Sequence, residues 1–153
     1  MTQIEFLNKL LATLEVVAAN VKGRHWTVYG MSFRSVHLLL DDVYDVLRNG
    51  ADKAAETVRV LGGIPLRSLT SFVANSYLSE DAEIAPAADM VESTREEVAI
   101  IIGHINGAIE AGILDPTTEN DVAALSSELR HYCIFLDGMS ETWEEYEPIT
   151  MGK

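Results

Sequence analysis

In the opening stretch of the chain the apolar positions Ile4, Leu7, Leu11, Leu14, Ala18 and Val21 recur at alternating steps of three and four. That spacing marks the buried stripe of an α-helix. Thr2 followed three positions later by Glu5 forms a capping box that opens it. His25 is the next member of the series, so its ring is expected to point inward, and Gly30 marks the turn that follows. A second stripe runs through Val36, Leu40, Val43, Leu47, Ala51, Ala54, Val58 and Leu61. Ser32 is the expected N-cap, Gly62-Gly63 the stop, and Pro65 confirms it. A helix of roughly 28 residues spans about 42 Å. Gly50 interrupts it at a cost of about 1 kcal/mol in helix propensity relative to Ala. If a second copy packs against this helix, Gly50 allows a close crossing.

Residues 66–84 read as a long connector holding a short helix from Ser68 to Tyr77. The third long helix is expected over Pro86 to Ala111, with the apolar group Ile100, Ile101 and Ile102, and Gly112 ends it. The fourth starts after Asp115-Pro116 and carries Val122, Leu125, Leu129, Tyr132, Leu136, Met139 and Trp143 in a heptad-like stripe. Asp115 or Thr117 can cap it, and Pro116 suits its first turn. From Pro148 onward a short tail is expected. The reading is all-α: a four-helix bundle with one long crossover between the second and third helices, the ferritin-like arrangement. One domain is expected over 1–153.

A length of 153 residues with 48% hydrophobic residues is enough for one proper core and excludes disorder. The net charge of −13 argues against binding nucleic acid or anionic lipid through the general surface. Cys133 is the only cysteine, so no internal disulfide forms, in keeping with a reducing compartment. No signal sequence opens the chain and no apolar run approaches a membrane span, so a soluble cytoplasmic protein is expected.

Five side chains carry the candidate chemistry: His25, His37, Asp41, Asp52 and Glu56. His37/Asp41 and Asp52/Glu56 are i,i+4 pairs, each aiming two side chains at one spot. Asp41 and Asp52 share a face of one helix but lie about 16 Å apart along its axis. One chain cannot bring all five to a point. An antiparallel second copy would set His37/Asp41 of one chain against Asp52/Glu56 of the other, giving two equivalent metal sites about a two-fold axis. Two imidazoles and three carboxylates suit iron, manganese or zinc rather than calcium or magnesium. The bland alternative places Asp52 and Glu56 in a solvated charged stripe with Asp45, Arg48 and Arg59.

The run His25-Trp26-Thr27-Val28-Tyr29-Gly30, then Phe33, Val36-His37, Leu40-Asp41, Tyr44, Asp52, Ala55-Glu56 and Leu61-Gly62-Gly63-Ile64-Pro65, resembles the signature of the Dps miniferritins (DNA-binding proteins from starved cells). Helix count, the connector and chain length extend the resemblance over nearly the whole chain. It implies a hollow shell of twelve subunits that binds ferrous iron, oxidises it to ferric iron preferentially with hydrogen peroxide, and stores a ferric mineral, limiting oxidative damage. It also implies ferroxidase sites at two-fold interfaces, with His25, His37 and Asp41 from one chain and Asp52 and Glu56 from its mate.

Two departures stand out. The far end offers only Lys153 amid Glu144, Glu145 and Glu147, without the clustered cations that phosphate contacts need, so no significant DNA binding is expected. Leu38 stands where the family commonly has an acid after the second histidine. The ligands are intact, but how mineral is nucleated is left open. A nucleoid-compacting DNA binder and a shell that holds zinc or manganese without turnover are the competing functions.

Smaller signals have ordinary readings. Trp26 is a buried core aromatic on sequence grounds, or a radical trap by the resemblance. Glu128-x-x-His131 is half of a di-iron signature and lacks its second copy. His104 reads as an ordinary surface or core histidine, and Cys133 as core filler. Asp115, Glu119 and Asp121 favour a helix N-terminus by default, while the resemblance implies that one or two of them guide cations at three-fold pores.

Overall fold

A computed structural model describes residues 1–139. Five helices follow in order: α1 Gln3–Thr27, α2 Phe33–Val60, α3 Leu69–Asn75, α4 Ala87–Glu110 and α5 Pro116–Gly138. The helices fall where the apolar periodicity and the Gly/Pro punctuation put them. Trp143, Glu144, Glu145, Glu147, Pro148 and Lys153 lie outside the described residues.

The helix ends show why the chain folds this way locally. Thr2 Oγ1 accepts from the Glu5 amide at 3.2 Å while the Thr2 amide donates to the Glu5 carboxylate at 2.6 Å, closing the capping box. Both α2 and α4 end on a left-handed glycine, Gly62 at φ +82° and Gly112 at φ +63°. At α2 the Gly63 amide reaches back to Val58 O at 2.9 Å and the Gly62 amide to Arg59 O at 3.1 Å, the Schellman pattern. Asp115 caps α5, accepting from the Thr117 and Thr118 amides at 2.9 and 3.0 Å. Ser32 differs from expectation. It precedes α2, but at φ +66° its hydroxyl caps nothing, because a left-handed residue does not present its side chain to the first-turn amides.

α1 packs along α2 and α4 along α5, and α2–α5 and α1–α4 contacts close the bundle. Leu14, Leu40, Leu47, Ile101, Leu129 and Leu136 lose essentially all solvent contact in its continuous core. Gly50 has a reason inside the chain. A Cβ there would lie 2.8 and 2.9 Å from the two methyls of Leu125 on α5. The glycine lets α2 and α5 approach.

None of α3's residues is fully buried; Leu66, Phe72 and Leu78 pack on the edge of the core, and hydrogen bonds fasten the crossover as well. Asn8 of α1 donates to Ile64 O and accepts from the Leu66 amide at 3.3 and 2.9 Å. Thr13 accepts from the Tyr77 amide at 2.9 Å. Asn20 donates to Ser79 O at 3.0 Å and accepts from the Asp81 amide at 2.8 Å. Three polar residues along one helix thus fasten the connector in sequence order. Among the described residues no helix is long and apolar enough to cross a membrane.

Candidate metal centre

His25 lies in the last turn of α1, and His37 and Asp41 occupy successive turns of α2. The two imidazoles stack with centroids 3.7 Å apart and planes 15° from parallel, and Phe33 stacks on the far side of His37 at 5.2 Å. His25 Nδ1 lies 2.6 Å from His37 O, and His37 Nδ1 lies 2.7 Å from His25 O. A carbonyl oxygen can only accept, so both Nδ1 atoms carry the proton and donate. In the neutral ring each Nε2 then keeps its lone pair, the form in which histidine ligates a metal. The partly buried His25 ring is therefore turned towards α2, as the apolar series implied.

Asp41 is engaged as well. Lys22, one turn before His25 on α1, forms an ion pair with its carboxylate, and the same ammonium sits 4.7 Å over the Tyr44 ring. The hydrogen bond from Lys22, aided by the nearby imidazoles, holds the Asp41 carboxyl below its ordinary value. The periodicity gave no sign of Lys22. An i, i+3 relation to His25 at the end of α1 is the signal that could have found it.

Asp52 and Glu56 occupy later turns of α2 and are exposed. Among the described residues neither carboxylate has a hydrogen-bond or ion-pair partner. The cations of the charged-stripe reading point elsewhere: Arg48 pairs with Glu15 of α1, and Arg59 donates to Gly63 O at 3.1 Å. Lys53 reaches Asp121 of α5 at 3.3 Å. Asp52 and Glu56 therefore stand as two unneutralised carboxylates on one helix. Within one chain, the described residues hold no group of three or more His, Cys, Asp or Glu side chains placed to share an ion. The structure brings His25, His37 and Asp41 into one neighbourhood and leaves Asp52 and Glu56 as a separate pair.

The smaller signals resolve as follows. Trp26 is 71% exposed, so the buried-core expectation is corrected: it follows His25 on the outer side of α1's last turn. Glu128 and His131 are exposed, and the His131 ring packs edge-on against Tyr132 and Phe135. His104 stacks on Tyr77 with centroids 3.6 Å apart, and burial lowers its pKa. Cys133 is buried core filler whose thiol burial raises to about 11. Asp115 is occupied by its capping bonds and by Gln3 Nε2 at 2.8 Å.

The family model "Ferritin-like domain" matches residues 4–131. The DNA protection during starvation protein of Agrobacterium fabrum is 34% identical over 141 residues, covering 89% of this chain and 86% of that one. Other curated relatives are matched over less of their length. The chain spans 60% of an uncharacterised Haemophilus influenzae protein and 48% of a low temperature-induced protein of Nostoc. Among solved structures, antigen TpF1 from Treponema pallidum superposes with a TM-score of 0.84 at 22% identity, covering 91% of each chain. A Dps protein from Bacillus brevis gives 0.81 at 24% identity, covering 90% of this chain and 97% of that one. These two share the fold.

Proposed function

The chain belongs to the ferritin-like family, among the Dps miniferritins, and from that premise we propose that it is an iron-storage ferroxidase whose sites are shared between paired subunits. Ferrous iron is the substrate. His25 and His37 offer it their Nε2 atoms and Asp41 a carboxylate, and Asp52 and Glu56 of a second copy complete or bridge the site. Each ferrous ion gives up one electron and hydrogen peroxide accepts two, so two irons are oxidised per peroxide. Hydrolysis then yields ferric oxide-hydroxide and protons. Carboxylates favour the ferric product as charge builds, while the imidazoles retain ferrous iron. Taking both electrons from paired irons avoids the one-electron reduction that would release hydroxyl radical. The shell is a dodecamer in which the mineral accumulates.

The observation that carries this reading is the contrast between the two half-sites. One presents two imidazoles whose Nδ1–H groups are engaged by carbonyls, leaving Nε2 as the nitrogen to ligate. The other presents two exposed carboxylates that no cation among the described residues neutralises. Neither half is sufficient alone, and His37/Asp41 and Asp52/Glu56 lie on one helix at a spacing that a two-fold axis converts into two equivalent sites.

The test adds ferrous iron to anaerobic protein, then peroxide at half the iron concentration, and follows ferric absorbance through size-exclusion chromatography. Rapid oxidation, with iron co-eluting at the size of a twelve-subunit shell, is expected. Oxidation no faster than in buffer, with iron precipitating, would leave only the fold. Mixing His37→Ala with Asp52→Asn subunits tests the sharing. In mixed assemblies some interfaces join an intact histidine half to an intact carboxylate half, so sites reappear that neither parent has. No recovery refutes the shared site.

A further inference from the structure

The last turn of α1, which carries His25, has a weak point immediately before it. Gly23 sits inside the helix, yet a Cβ there would touch nothing within 4 Å, so no close approach demands glycine. Glycine in a helix interior loosens it. Thr27 Oγ1 donates to Gly23 O at 2.9 Å, a side chain bonding back onto the helix at the same place. Contacts from outside the turn add to its own backbone bonds, such as the Val28 amide to Arg24 O at 2.8 Å.

On one side stands the exchange of hydrogen bonds between His25 and His37. On the other stands Arg24, a charged side chain only 4% exposed. Its guanidinium donates to Glu97 of α4 at 2.5 and 2.9 Å, to Thr94 at 3.3 Å, and to Asp81 of the crossover at 2.7 and 3.2 Å. Asn20, one turn earlier, donates to the same Glu97 at 2.8 Å and accepts from the Asp81 amide. The guanidinium is a planar fork that two carboxylates hold from two elements, so its orientation is fixed. Neighbouring helical residues are 100° apart, so fixing the azimuth of Arg24 also fixes that of His25.

We infer that Arg24 is a positioning residue for the candidate metal site. By latching α1 to Glu97 and Asp81 across the Gly23 weak point, it sets the direction in which His25 presents Nε2. This rests on the reading of His25 and His37 as metal ligands. Arg24 lies outside the five-residue constellation and touches neither metal nor substrate. It acts through the turn that carries His25. It also ties the crossover to the turn that carries His25, since Asp81 holds the same guanidinium.

Titration of the assembled full-length protein with Co(II) alone tests this, read by its visible absorption band. Arg24→Gln combined with Glu97→Gln removes the latch without leaving a buried unpaired charge. Co(II) affinity should fall by about tenfold or more, the usual consequence of losing support behind a ligand. Adding Gly23→Ala to that variant should restore most of the affinity by stiffening the turn. The milder Asp81→Asn, which opens one arm, should shift affinity in the same direction by less. Unchanged affinity in the double variant or in Asp81→Asn, with His37→Ala abolishing binding, overturns the positioning role and leaves the metal site standing. So does a Gly23→Ala that raises Tm without restoring affinity. If His37→Ala also leaves Co(II) binding intact, the metal site itself is refuted.

Discussion

His25 and His37 hydrogen-bond to each other's main chain, each Nδ1–H donating to the other residue's carbonyl, with their rings stacked between. This reciprocal clasp joins the end of α1 to the start of α2 and fixes both tautomers at once. Nitrogen-15 NMR of the metal-free protein at pH 8 should show both rings protonated at Nδ1 and bare at Nε2. His37→Ala removes one hydrogen bond and the ring stack, and should lower stability by about 1 kcal/mol. Protonation at Nε2 in that spectrum, or equal exchange between tautomers, would contradict the clasp.

Lys22 pairs with the Asp41 carboxylate, which the proposed site would offer to a metal ion, so the two would compete for it. Lys22→Met should therefore strengthen divalent-metal binding by a few-fold, the competitor having been removed. Its effect should fade at high salt, where the ion pair is already screened. Calorimetric titration of both proteins at two salt concentrations measures this. Weaker binding in Lys22→Met would mean that Lys22 organises Asp41 rather than blocking it.

Gly50→Ala gains about 1 kcal/mol of helix propensity but drives a methyl into both methyls of buried Leu125. Overpacking a core costs about 1–3 kcal/mol, so a net loss of about 1 kcal/mol is expected. In a Leu125→Ala background the same change should be neutral or stabilising. Urea denaturation of the four proteins closes the double-mutant cycle. Additive effects would show that the two positions are not in contact.

Cys133 should be inert in the folded protein. With its pKa pushed up to about 11, thiolate at pH 8 is on the order of 0.1% of the total. An aromatic disulfide reagent should label it only after denaturation, and peroxide turnover should leave it reduced by mass spectrometry. Fast labelling of native protein would mean the α4–α5 packing opens there.

The Glu83 amide and then Arg24 hold the Asp81 carboxyl below its ordinary value. A carboxylate with a lowered folded-state pKa contributes stability above the unfolded pKa near 4, and that contribution is lost as pH falls through the lowered value. Urea midpoints taken from pH 7 down to pH 3 should fall less steeply in Asp81→Asn than in the parent protein. Parallel curves would remove Asp81 from the acid response.

Helix positions and ends were legible because the signals are local: the Thr2 box, the Gly62 and Gly112 stops, Pro116 at the start of α5. Placing His37 and Asp41 apart from Asp52 and Glu56 needed only the rise of a helix. Arg24, Asp81 and Glu97 were not legible as a unit, since 57 and 73 residues separate the arginine from its partners. Only tertiary packing brings them together. Gly50 was visible as an anomaly, but its neighbour was not, because periodicity shows that a face is buried without saying what fills it. Trp26 was misjudged for a related reason. Lying beside an inward-facing histidine says little about a residue 100° further round the helix.

α3 has no fully buried residue; Phe72 packs on the core's edge, and hydrogen bonds from α1 fasten the crossover around it. Leu69 is 80% and Val73 51% exposed on its surface. Its backbone amides should accordingly exchange with deuterium within the fastest class of the molecule while the subunit is alone. They should slow sharply once another surface covers those two side chains. In the proposed shell, a neighbour seated on Leu69 and Val73 would turn the exchange of these amides into a clock for assembly.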